Sequence, residues 1–548
     1  MTTPATRPHR GCDALLDTLK AAGVSRIFTL SGNHIMPVFD AAFESGIELV
    51  HTRHEAAAVH MADAHARITG EVGIALVTGG PGHANAVSAL YTALMAEAPL
   101  VLLSGHAPNN QIGRGAFQEM RQADMAAPVC KASWTCAGAD ALADDMARAI
   151  AIARSGRPGP VHLSLPTDVL EDAVAAPAAR GADAFAAAPM LLDAAQARNL
   201  VAALSQAQRP LILAGPASLT RAGRLRMAEL QAACGVPVVG MDSPRGVADP
   251  RLGAFAQVLA QADCVLLLGK RLDFTLKFGQ APALAASAVV HQIDADPAEF
   301  ERSRAALGAR LASTAVADLV SAAAALGAAG QPNAGLAAWR ADVEAAIAWR
   351  PPQWAQAGAS EAGRLHPVQM LRPLQSLLDS HPDSVLVCDG GEIGQWASAC
   401  LDAPHRVING VAGAIGSGLP YALGARCAVA GAPVVAVMGD GTIGFHIAEF
   451  DTAVRYRLPF VAVVGNDARW NAEYQIQLRD YGAQRLIGCE LQPSRYDEVA
   501  RAFGGHGECV TEPDAMAPAL RRAAASGLPA CINVMIEGLP APQMKRPG

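Results

Sequence analysis

Short apolar runs that alternate with Ala-rich amphipathic stretches recur along the whole 548-residue chain. A short apolar run between helical stretches is typical of a strand buried in a parallel sheet that helices cover. The runs fall into three sets, at residues 26–30, 47–51, 73–77, 100–104 and 161–165, at residues 209–215, 236–240, 262–269 and 289–294, and at residues 384–391, 432–441, 460–467 and 530–536. The pattern predicts an α/β protein of three doubly wound, mostly parallel-sheet domains.

Two stretches of the sequence separate these sets. Residues 173–189 are rich in Ala and Pro and contain little that could pack, and a second linker is expected within residues 327–354. Segments of this composition are typical of linkers. A chain of this length also corresponds to about three or four domains. We therefore expect domains over residues 1–175, 190–330 and 360–540.

The overall composition restricts the classes of partner. The 43 Lys and Arg against 50 Asp and Glu residues give a net charge of −7, which argues against a nucleic-acid-binding surface as the main function. No uncharged apolar run approaches the roughly 18 residues that a membrane helix needs. The 11 cysteines contain no C-x-x-C pair, as expected for reduced thiols. We therefore expect a cytoplasmic protein that binds neither nucleic acid nor membrane.

Carboxylates follow two neighbouring strands of the third set. One buried run ends in Gly439-Asp440-Gly441 and is followed by a helix predicted to start near His446. The next buried run ends at Asn466-Asp467. In an open parallel sheet both carboxyl ends lie on one edge, where ligands bind. Two carboxylates beside glycines that let backbone N–H groups approach suit Mg²⁺ together with a diphosphate. Gly-Asp-Gly alone could be a simple turn, but the strand–helix–strand context favours a cofactor site.

This segment resembles the diphosphate-binding motif of thiamine-diphosphate enzymes, in which GDG is followed by an Asn-rich pair. Residues 52–70, 76–87 and 155–170 are similar to the pyrimidine-binding domain of the same superfamily. The resemblance covers essentially the whole chain and implies the order pyrimidine-binding, central and diphosphate-binding domain. The general pattern is closest to large subunits of acetolactate synthase, with benzaldehyde lyase and 2-hydroxyacyl-CoA lyase as near relations.

The resemblance implies thiamine diphosphate and Mg²⁺ as cofactors. Glu55 stands where the family has a glutamate that hydrogen-bonds N1′ of the aminopyrimidine, and Ile415 stands where it has the apolar residue beneath the bent cofactor. The implied cofactor-binding positions are Glu55, Gly413, Ile415, Gly439, Asp440, Gly441, Thr442, Asp467 and Trp470. The implied metal ligands are Asp440, Asp467 and a backbone carbonyl near Arg469.

The substrate-facing residues are expected on loops of the first domain. Asn33 and His34 follow a predicted strand, and benzaldehyde lyase also has a histidine at this spacing before its glutamate, whereas acetolactate synthases have a small residue. Gln118 stands at a position that is Gln in both relatives. A histidine and an amide near a developing alkoxide can relay a proton and stabilise charge. The expected catalytic residues are Glu55, His34, Gln118 and Asn33, with His83 as a further candidate.

Three departures from the acetolactate synthase pattern concern the third and central domains. Asp467 replaces the family's second Asn, and the following residues bring Trp470 and Glu473 to the thiazolium. The chain ends soon after its last predicted strand, so we expect a missing or minimal C-terminal lid. The central segment 270–279 resembles a pattern of acyl-CoA lyases, but no G-x-G-x-x-G follows the first central strand. FAD and an adenine nucleotide therefore both remain alternatives for the central domain.

The resemblance implies an enzyme that makes or breaks a C–C bond next to the carbonyl of a small molecule. An acetolactate-synthase-like carboligase or decarboxylase of 2-oxo acids is the main expectation. A lyase of 2-hydroxy carbonyl compounds, free or CoA-linked, is the alternative, and a catalytically silent paralogue is a third reading. Because the family pairs the pyrimidine-binding domain of one chain with the diphosphate-binding domain of another, we expect a homodimer or a dimer of dimers.

Overall fold

The structure, a computed structural model, describes residues 8–176 and 180–547. The chain divides into two compact units between residues 188 and 189. This division lies at the end of the predicted linker 173–189, of which residues 177–179 lie outside the described residues. The domain boundaries given above stay predictions.

The first unit contains one parallel sheet with the strand order β2-β1-β3-β4-β6-β5. The strands are β1 (Arg26–Leu30), β2 (Glu48–His51), β3 (Gly73–Val77), β4 (Leu100–His106), β5 (Ala132–Thr135) and β6 (Pro160–Pro166). The helices are α1 (Gly11–Ala21), α2 (Met36–Ala42), α3 (Glu55–Thr69), α4 (Pro81–Met95), α5 (Gln122–Ala126), α6 (Leu142–Arg154) and α7 (Thr167–Glu171). Strands β3, β4 and β6 are buried along their whole length, as their continuous apolar runs predict.

The second unit begins with a parallel sheet of strand order β11-β10-β9-β7-β8, called the central sheet here. Its strands are β7 (Pro210–Ala214), β8 (Val238–Gly240), β9 (Cys264–Leu268), β10 (Val289–Asp294) and β11 (Leu311–Val316). Its helices are α8 (Ala194–Gln206), α9 (Arg221–Cys234), α10 (Phe255–Leu259), α11 (Ala298–Leu307), α12 (Leu319–Ala329) and α13 (Ala337–Ala348). Helix α13 occupies much of the stretch 327–354 in which a linker is expected.

The central sheet is covered on both faces. Side chains alternate across a strand, so neighbouring residues face opposite sides. Ile212 and Leu266 belong to one buried apolar cluster, and Leu211 and Val265 belong to another. Two separate cores on the two faces are the property of a doubly wound sheet.

The remainder of the second unit forms a parallel sheet of strand order β13-β12-β14-β15-β17-β16, called the C-terminal sheet here. Its strands are β12 (Val385–Cys388), β13 (His405–Ile408), β14 (Val434–Gly439), β15 (Val461–Asn466), β16 (His506–Val510) and β17 (Ala530–Met535). Its helices are α14 (Pro367–Leu371), α15 (Leu374–Leu378), α16 (Glu392–Cys400), α17 (Gly418–Ala428), α18 (Asp440–Ile443), α19 (Glu449–Arg455), α20 (Asn471–Tyr481), α21 (Tyr496–Ala502) and α22 (Pro513–Ala525).

The first and the C-terminal sheets share one topology. When the strands of each are numbered from the first, both have the order 2-1-3-4-6-5. The expected α/β class with three doubly wound parallel sheets is confirmed. In the described part of the chain, no helix is long and apolar enough to cross a bilayer. No cysteine among the described residues takes part in a disulfide.

Candidate active site

A cavity of about 350 Å³ lies at the carboxyl edge of the C-terminal sheet. Its lining includes Gly390 after β12, Gly439 at the end of β14 and Gly465 in β15. Strands β14 and β15 are paired so that Gly439 lies opposite Gly465. The residues that follow these two strands, among them Asp440 and Asp467, are therefore neighbours in space. This adjacency agrees with the prediction that both carboxylates lie at one edge of the sheet.

Asp440 and Asp467 are both buried and both line this cavity. Burial raises the pKa of Asp440 to about 6. Burial, together with the nearby charge of Asp440, raises the pKa of Asp467 to about 7. The backbone N–H of Arg469 donates to Asp440 Oδ2 at 3.2 Å. Burial and the repulsion between the two carboxylates both disfavour their charged forms. A cation bound between them would stabilise the charged forms.

The donor set of the cavity fits Mg²⁺ bound together with a diphosphate. Mg²⁺ prefers oxygen ligands and is usually held by one or two carboxylates plus substrate phosphate oxygens and water, not by an all-protein cage. Within residues 8–176 and 180–547, no group of three or more His, Cys, Asp or Glu side chains could hold a metal ion alone. The two carboxylates of Asp440 and Asp467 leave the remaining coordination positions to a ligand.

The backbone around the cavity is shaped for close approach of an anion. Helices α16 and α20 begin at Glu392 and Asn471, which both line the cavity, so the positive ends of their dipoles face it. A Cβ on Gly441 would lie 2.6 Å from the ring of Trp470, so only glycine fits under this indole. Thr442 accepts from the N–H of Gly439 and fixes the turn after β14.

The loop 413–418 carries Ile415 into the cavity. The Ile415 side chain is 39% exposed although it is a large aliphatic group, and it lines the cavity with Gly413. Exposed apolar surface inside a cleft is available to a ligand ring. Gly413 has φ +68°, a conformation that favours glycine.

Asp389 holds this loop, and the sequence analysis does not identify it. Its carboxylate accepts from the N–H groups of Gly416 and Gly418, the latter at 2.7 Å. Burial raises the pKa of Asp389 to about 6. The sequence contains a pattern that indicates this position, because Asp389-Gly390-Gly391 follows a buried strand just as Gly-Asp-Gly does at 439–441.

The remaining predicted residues of this region occupy different places. Trp470 and Glu473 line the cavity, and the Trp470 ring packs edge-on against Phe445 at 6.3 Å. The guanidinium of Arg469 lies 4.4 Å from the ring centre of Tyr474. Asn466 is turned away from ligands, because its amide donates to Ser494 O and Asn533 Oδ1.

The described residues after β17, up to residue 547, form no helix or strand but contact the rim of the cavity. The amide of Asn471 donates to Leu539 O at 2.9 Å, and the N–H of Ala541 donates to Glu392 Oε2 at 3.1 Å. Arg546 then pairs with Asp342 in helix α13. The described residues after β17 thus run as an extended tail along the rim of the cavity.

In the first unit, Glu55 is the first residue of α3 and follows β2. His54 caps this helix by accepting from the N–H of Ala56 at 3.1 Å. The Glu55 carboxylate accepts from the amide of Asn85 at 3.1 Å and lies close to Gly82, where an added Cβ would be 3.3 Å from Oε1. The carboxylate is therefore fixed at the carboxyl edge of the first sheet.

His34 lies on the loop after β1 and is buried. Its Nδ1 lies 3.2 Å from Thr78 Oγ1, and its ring stacks on Phe117 with 5.9 Å between centres. Burial is the main cause that lowers its pKa, so the neutral ring is favoured. Asn33 is exposed beside it.

Gln118 is brought to the same edge of the first sheet. It adopts φ +56° and contacts Gly80, where an added Cβ would lie 2.7 Å from the Gln118 Cβ. Gln122, which the sequence analysis does not identify, is buried and bonded to the N–H of Gly80 and to Ser164 Oγ. Together with His34 and Glu55, these residues follow neighbouring parallel strands.

His83 is fully buried in α4 and is held by a hydroxyl rather than by an acid. Its Nδ1 lies 2.8 Å from Ser104 Oγ, and its ring lies 4.5 Å from the ring of His162. Burial lowers the pKa of His83 to about 4. The side chain is therefore neutral at ordinary pH.

This burial predicts an acid-sensitive fold. The unfolded chain protonates His83 near its ordinary pKa of 6.5, whereas the folded chain does so only near 4. Stability therefore falls as the pH is lowered from 6.5 to 4, by up to about 3 kcal/mol for this residue. We expect His83→Asn to flatten that dependence in urea unfolding curves measured at pH 8, 6 and 4.5. Equal pH slopes in the variant and the wild type would contradict the assignment.

Three family models match the chain in order. The thiamine pyrophosphate enzyme N-terminal TPP binding domain matches residues 9–125, the central domain matches 197–320, and the C-terminal TPP binding domain matches 389–534. The N-terminal match contains Glu55 at the start of α3, and the central match covers the strands of the central sheet. The C-terminal match contains Asp440 and Asp467.

Curated relatives match nearly the full length. A "Probable acetolactate synthase" of Mycobacterium bovis is 34% identical, over 98% of this chain and 97% of the relative. A "2-hydroxyacyl-CoA lyase 2" of Bos taurus is 33% identical, over 97% of this chain and 91% of the relative. An "Acetolactate synthase large subunit" of Parasynechococcus marenigrum is 30% identical, over 96% of this chain and 87% of the relative. The chain therefore belongs to the thiamine pyrophosphate enzyme family and is an enzyme that depends on this cofactor.

Proposed function

We propose that this protein is a thiamine-diphosphate- and Mg²⁺-dependent carboligase and decarboxylase of 2-oxo acids, of the acetolactate synthase type. The observation that carries the cofactor assignment is the cavity in which two buried carboxylates, Asp440 and Asp467, lie beside glycines and the exposed aliphatic Ile415. The similarity to proteins named acetolactate synthase over almost the whole chain supports the substrate class.

The protein's own residues would bind and orient the cofactor, which when bound supplies the stabilised carbanion chemistry at its C2 carbon. Asp440 and Asp467, with a backbone carbonyl near Arg469, would hold Mg²⁺ against the diphosphate. Gly439 and Gly441 have no side chains, so with Thr442 they would let the phosphate oxygens approach the backbone after β14. The geometry of the cavity and the family resemblance support these assignments.

The other cofactor contacts concern the rings. Ile415, next to Gly413, would press beneath the bend of the cofactor, and Trp470 would lie near its thiazolium ring. Glu55 would hold a proton at N1′ of the aminopyrimidine, which its fixed carboxylate can do as a hydrogen-bond acceptor. A carboxylate already ordered by Asn85 loses little conformational entropy on binding.

A lyase acting on 2-hydroxy carbonyl compounds, free or CoA-linked, is the second candidate function. His34 favours it, because a neutral, buried histidine held by Thr78 can take and return a hydroxyl proton. Gln118 and Asn33 would lie near the substrate carbonyl and stabilise its developing charge. Similarity to proteins named 2-hydroxyacyl-CoA lyase 2 also supports this reading.

The family resemblance and the composition support a proposal for the partners and the location. We propose a homodimer or a dimer of dimers, in which Glu55 of one chain serves the cofactor held by Asp440 of another. A cytoplasmic location agrees with the free thiols of all 11 cysteines. For the central sheet, FAD and an adenine nucleotide remain alternatives. An absorbance spectrum of the purified protein distinguishes them, because only a flavin is yellow.

Product analysis tests the proposed function. The protein with saturating thiamine diphosphate and Mg²⁺ is incubated separately with pyruvate, with benzoin and with a 2-hydroxyacyl-CoA, and the products are identified by mass spectrometry. We expect acetolactate from pyruvate. An aldehyde released only from the 2-hydroxy compounds would establish the lyase function instead. No product from any of the three, despite measured cofactor binding, would support the silent-paralogue reading.

A further inference from the structure

A second cavity, of about 690 Å³, lies between the central and C-terminal sheets of the second unit. Arg224 of α9 and Arg251 line it from the central part, and Arg406 of β13 lines it from the C-terminal part. Gln375 and His381 complete one wall. A volume of several hundred Å³ is in the range that holds small-molecule ligands.

One of the three arginines is neutralised within the protein. Arg406 Nη2 donates to Asp242 Oδ1 at 2.8 Å, and both side chains are largely buried. This pair links β13 to the segment after β8. A buried guanidinium with a hydrogen-bonded carboxylate has little capacity left for another anion.

Within the described part of the chain, neither of the other two arginines forms an ion pair with a carboxylate. The guanidinium of Arg224 donates to two backbone carbonyls, those of Leu219 and Pro404. For Arg251, no side chain or carbonyl among residues 8–176 and 180–547 accepts a hydrogen bond from the guanidinium, which faces the cavity. Arginine presents five donors in a planar fork, so most of these donors remain available for a ligand.

The surroundings of these two arginines favour an added negative charge. Burial lowers the pKa of Arg251, and the nearby Arg406 acts in the same direction, whereas the carboxylates of Asp242, Asp249 and Asp402 act against it. Burial likewise lowers the pKa of Arg224, with Arg251 as the next cause. Asp242 is already paired with Arg406. The other acids of the lining, Asp379 and Asp402, are exposed, and Asp379 accepts from the amide of Gln375 at 2.8 Å.

This cavity is separate from the cofactor cavity. Asp379 and His381 precede β12, and Asp402 and Pro404 precede β13, so the lining lies at the amino edge of the C-terminal sheet. The cofactor cavity lies at the carboxyl edge of the same sheet. A ligand in one cavity therefore does not occupy the other.

We propose that Arg224 and Arg251 form a binding site for a small multivalent oxyanion, a phosphate or a carboxylate, at this junction. The anion would accept bidentate hydrogen bonds from the Arg251 fork and a further charge-assisted bond from Arg224. Because the arginines come from α9 and the segment before α10, while the opposite wall comes from α15 and β13, bound anion would connect the two halves of the second unit. The site is independent of the substrate proposed above.

Calorimetric titration of the holoenzyme tests this site. Thiamine diphosphate and Mg²⁺ are kept saturating so that the cofactor cavity is filled, and inorganic phosphate or succinate is added at constant ionic strength. We expect binding of at least one of these dianions, weakened at least about tenfold by Arg251→Gln and by Arg224→Gln, because each removes a charge-assisted contact. Arg198→Gln, on the exposed face of α8, is the matched control and should bind as the wild type does.

The two probes identify the source of the anion. Binding of phosphate alone indicates a phosphate ester as the natural ligand, and binding of succinate alone indicates a carboxylate. Equal affinity in Arg251→Gln and the wild type, or no binding of either dianion to the wild type, would overturn the proposal.

A second measurement does not depend on a variant that folds. Phenylglyoxal modifies accessible arginines, and mass spectrometry locates the modified residues in the wild-type holoenzyme. Phosphate or succinate should protect Arg224 and Arg251 and leave the modification of Arg198 unchanged. Unaltered modification of Arg251 at saturating concentrations of both dianions would contradict the proposed site.

Discussion

Replacing Glu55 by Gln is expected to lower turnover by at least about 100-fold, equivalent to about 2.7 kcal/mol of lost transition-state stabilisation. The amide keeps the shape of the carboxylate and its contact with Asn85, so the fold and the affinity for cofactor should change little. It lacks the negative charge that stabilises a proton at N1′ of the aminopyrimidine. The loss should therefore appear in kcat and not in cofactor binding.

Exchange of the C2 proton of bound thiamine diphosphate, followed by NMR in D₂O, measures this effect directly. Glu71→Gln, an exposed glutamate just after α3, is the matched control and should exchange as the wild type does. Wild-type exchange rates in Glu55→Gln would remove Glu55 from the proposed catalytic residues.

Replacing Asp440 by Ala is expected to abolish measurable binding of thiamine diphosphate in the presence of Mg²⁺. The alanine removes one of the two buried carboxylates of the cavity and leaves a single acidic ligand at Asp467. Asp467→Asn, in contrast, keeps an oxygen ligand and should retain binding and activity. Calorimetric titration of the cofactor with and without Mg²⁺ measures both variants.

The controls for this prediction are structural. Circular dichroism should show that Asp440→Ala is folded, because it removes a carboxylate that burial disfavours. Asp514→Ala, at an exposed position of α22, should bind cofactor normally. Tight binding that persists without Mg²⁺ in the wild type, or in Asp440→Ala, would count against the metal-bridged diphosphate.

The sequence pattern predicts all strands in the interiors of the sheets. It also predicts two edge strands, β2 and β8. Among the described residues, the strands without a predicted run are β5, β11, β13 and β16, and each lies at the edge of its sheet. An edge strand is covered less completely, so its sequence need not be continuously apolar. Strand β11 illustrates this, because only Ala315 within it is buried.

Helix positions near the site were harder to predict than strands. The pattern predicts a helix starting near His446, but α18 begins directly at Asp440 and α19 begins only at Glu449. His446 lies between them, and its Nδ1 is 2.8 Å from Gly416 O. A tertiary contact between His446 and the loop 413–418 thus helps to determine the backbone conformation between α18 and α19. The periodicity of the sequence does not reveal such a contact.

Some features of the candidate site can be predicted from the sequence, and others cannot. Adjacency of Asp440 and Asp467 follows from strand order alone, since both follow parallel neighbours. The support of the loop 413–418 by Asp389, and the two arginines without carboxylate partners at the junction cavity, depend on side-chain packing between distant segments. Arg224 and Arg251 have no motif that would single them out in the sequence.

Complementation between two inactive variants tests the central claim that Glu55 of one chain and Asp440 of another serve one cofactor. Chains with Glu55→Gln are mixed with chains with Asp440→Ala, subunit exchange is verified by mass spectrometry, and activity is measured. If two chains share each site, a heterodimer has one site with both substitutions and one with neither. Random pairing of equal amounts should then restore about a quarter of the wild-type activity. A mixture that stays inactive despite proven exchange, or an active species that sediments as a monomer, would contradict the claim.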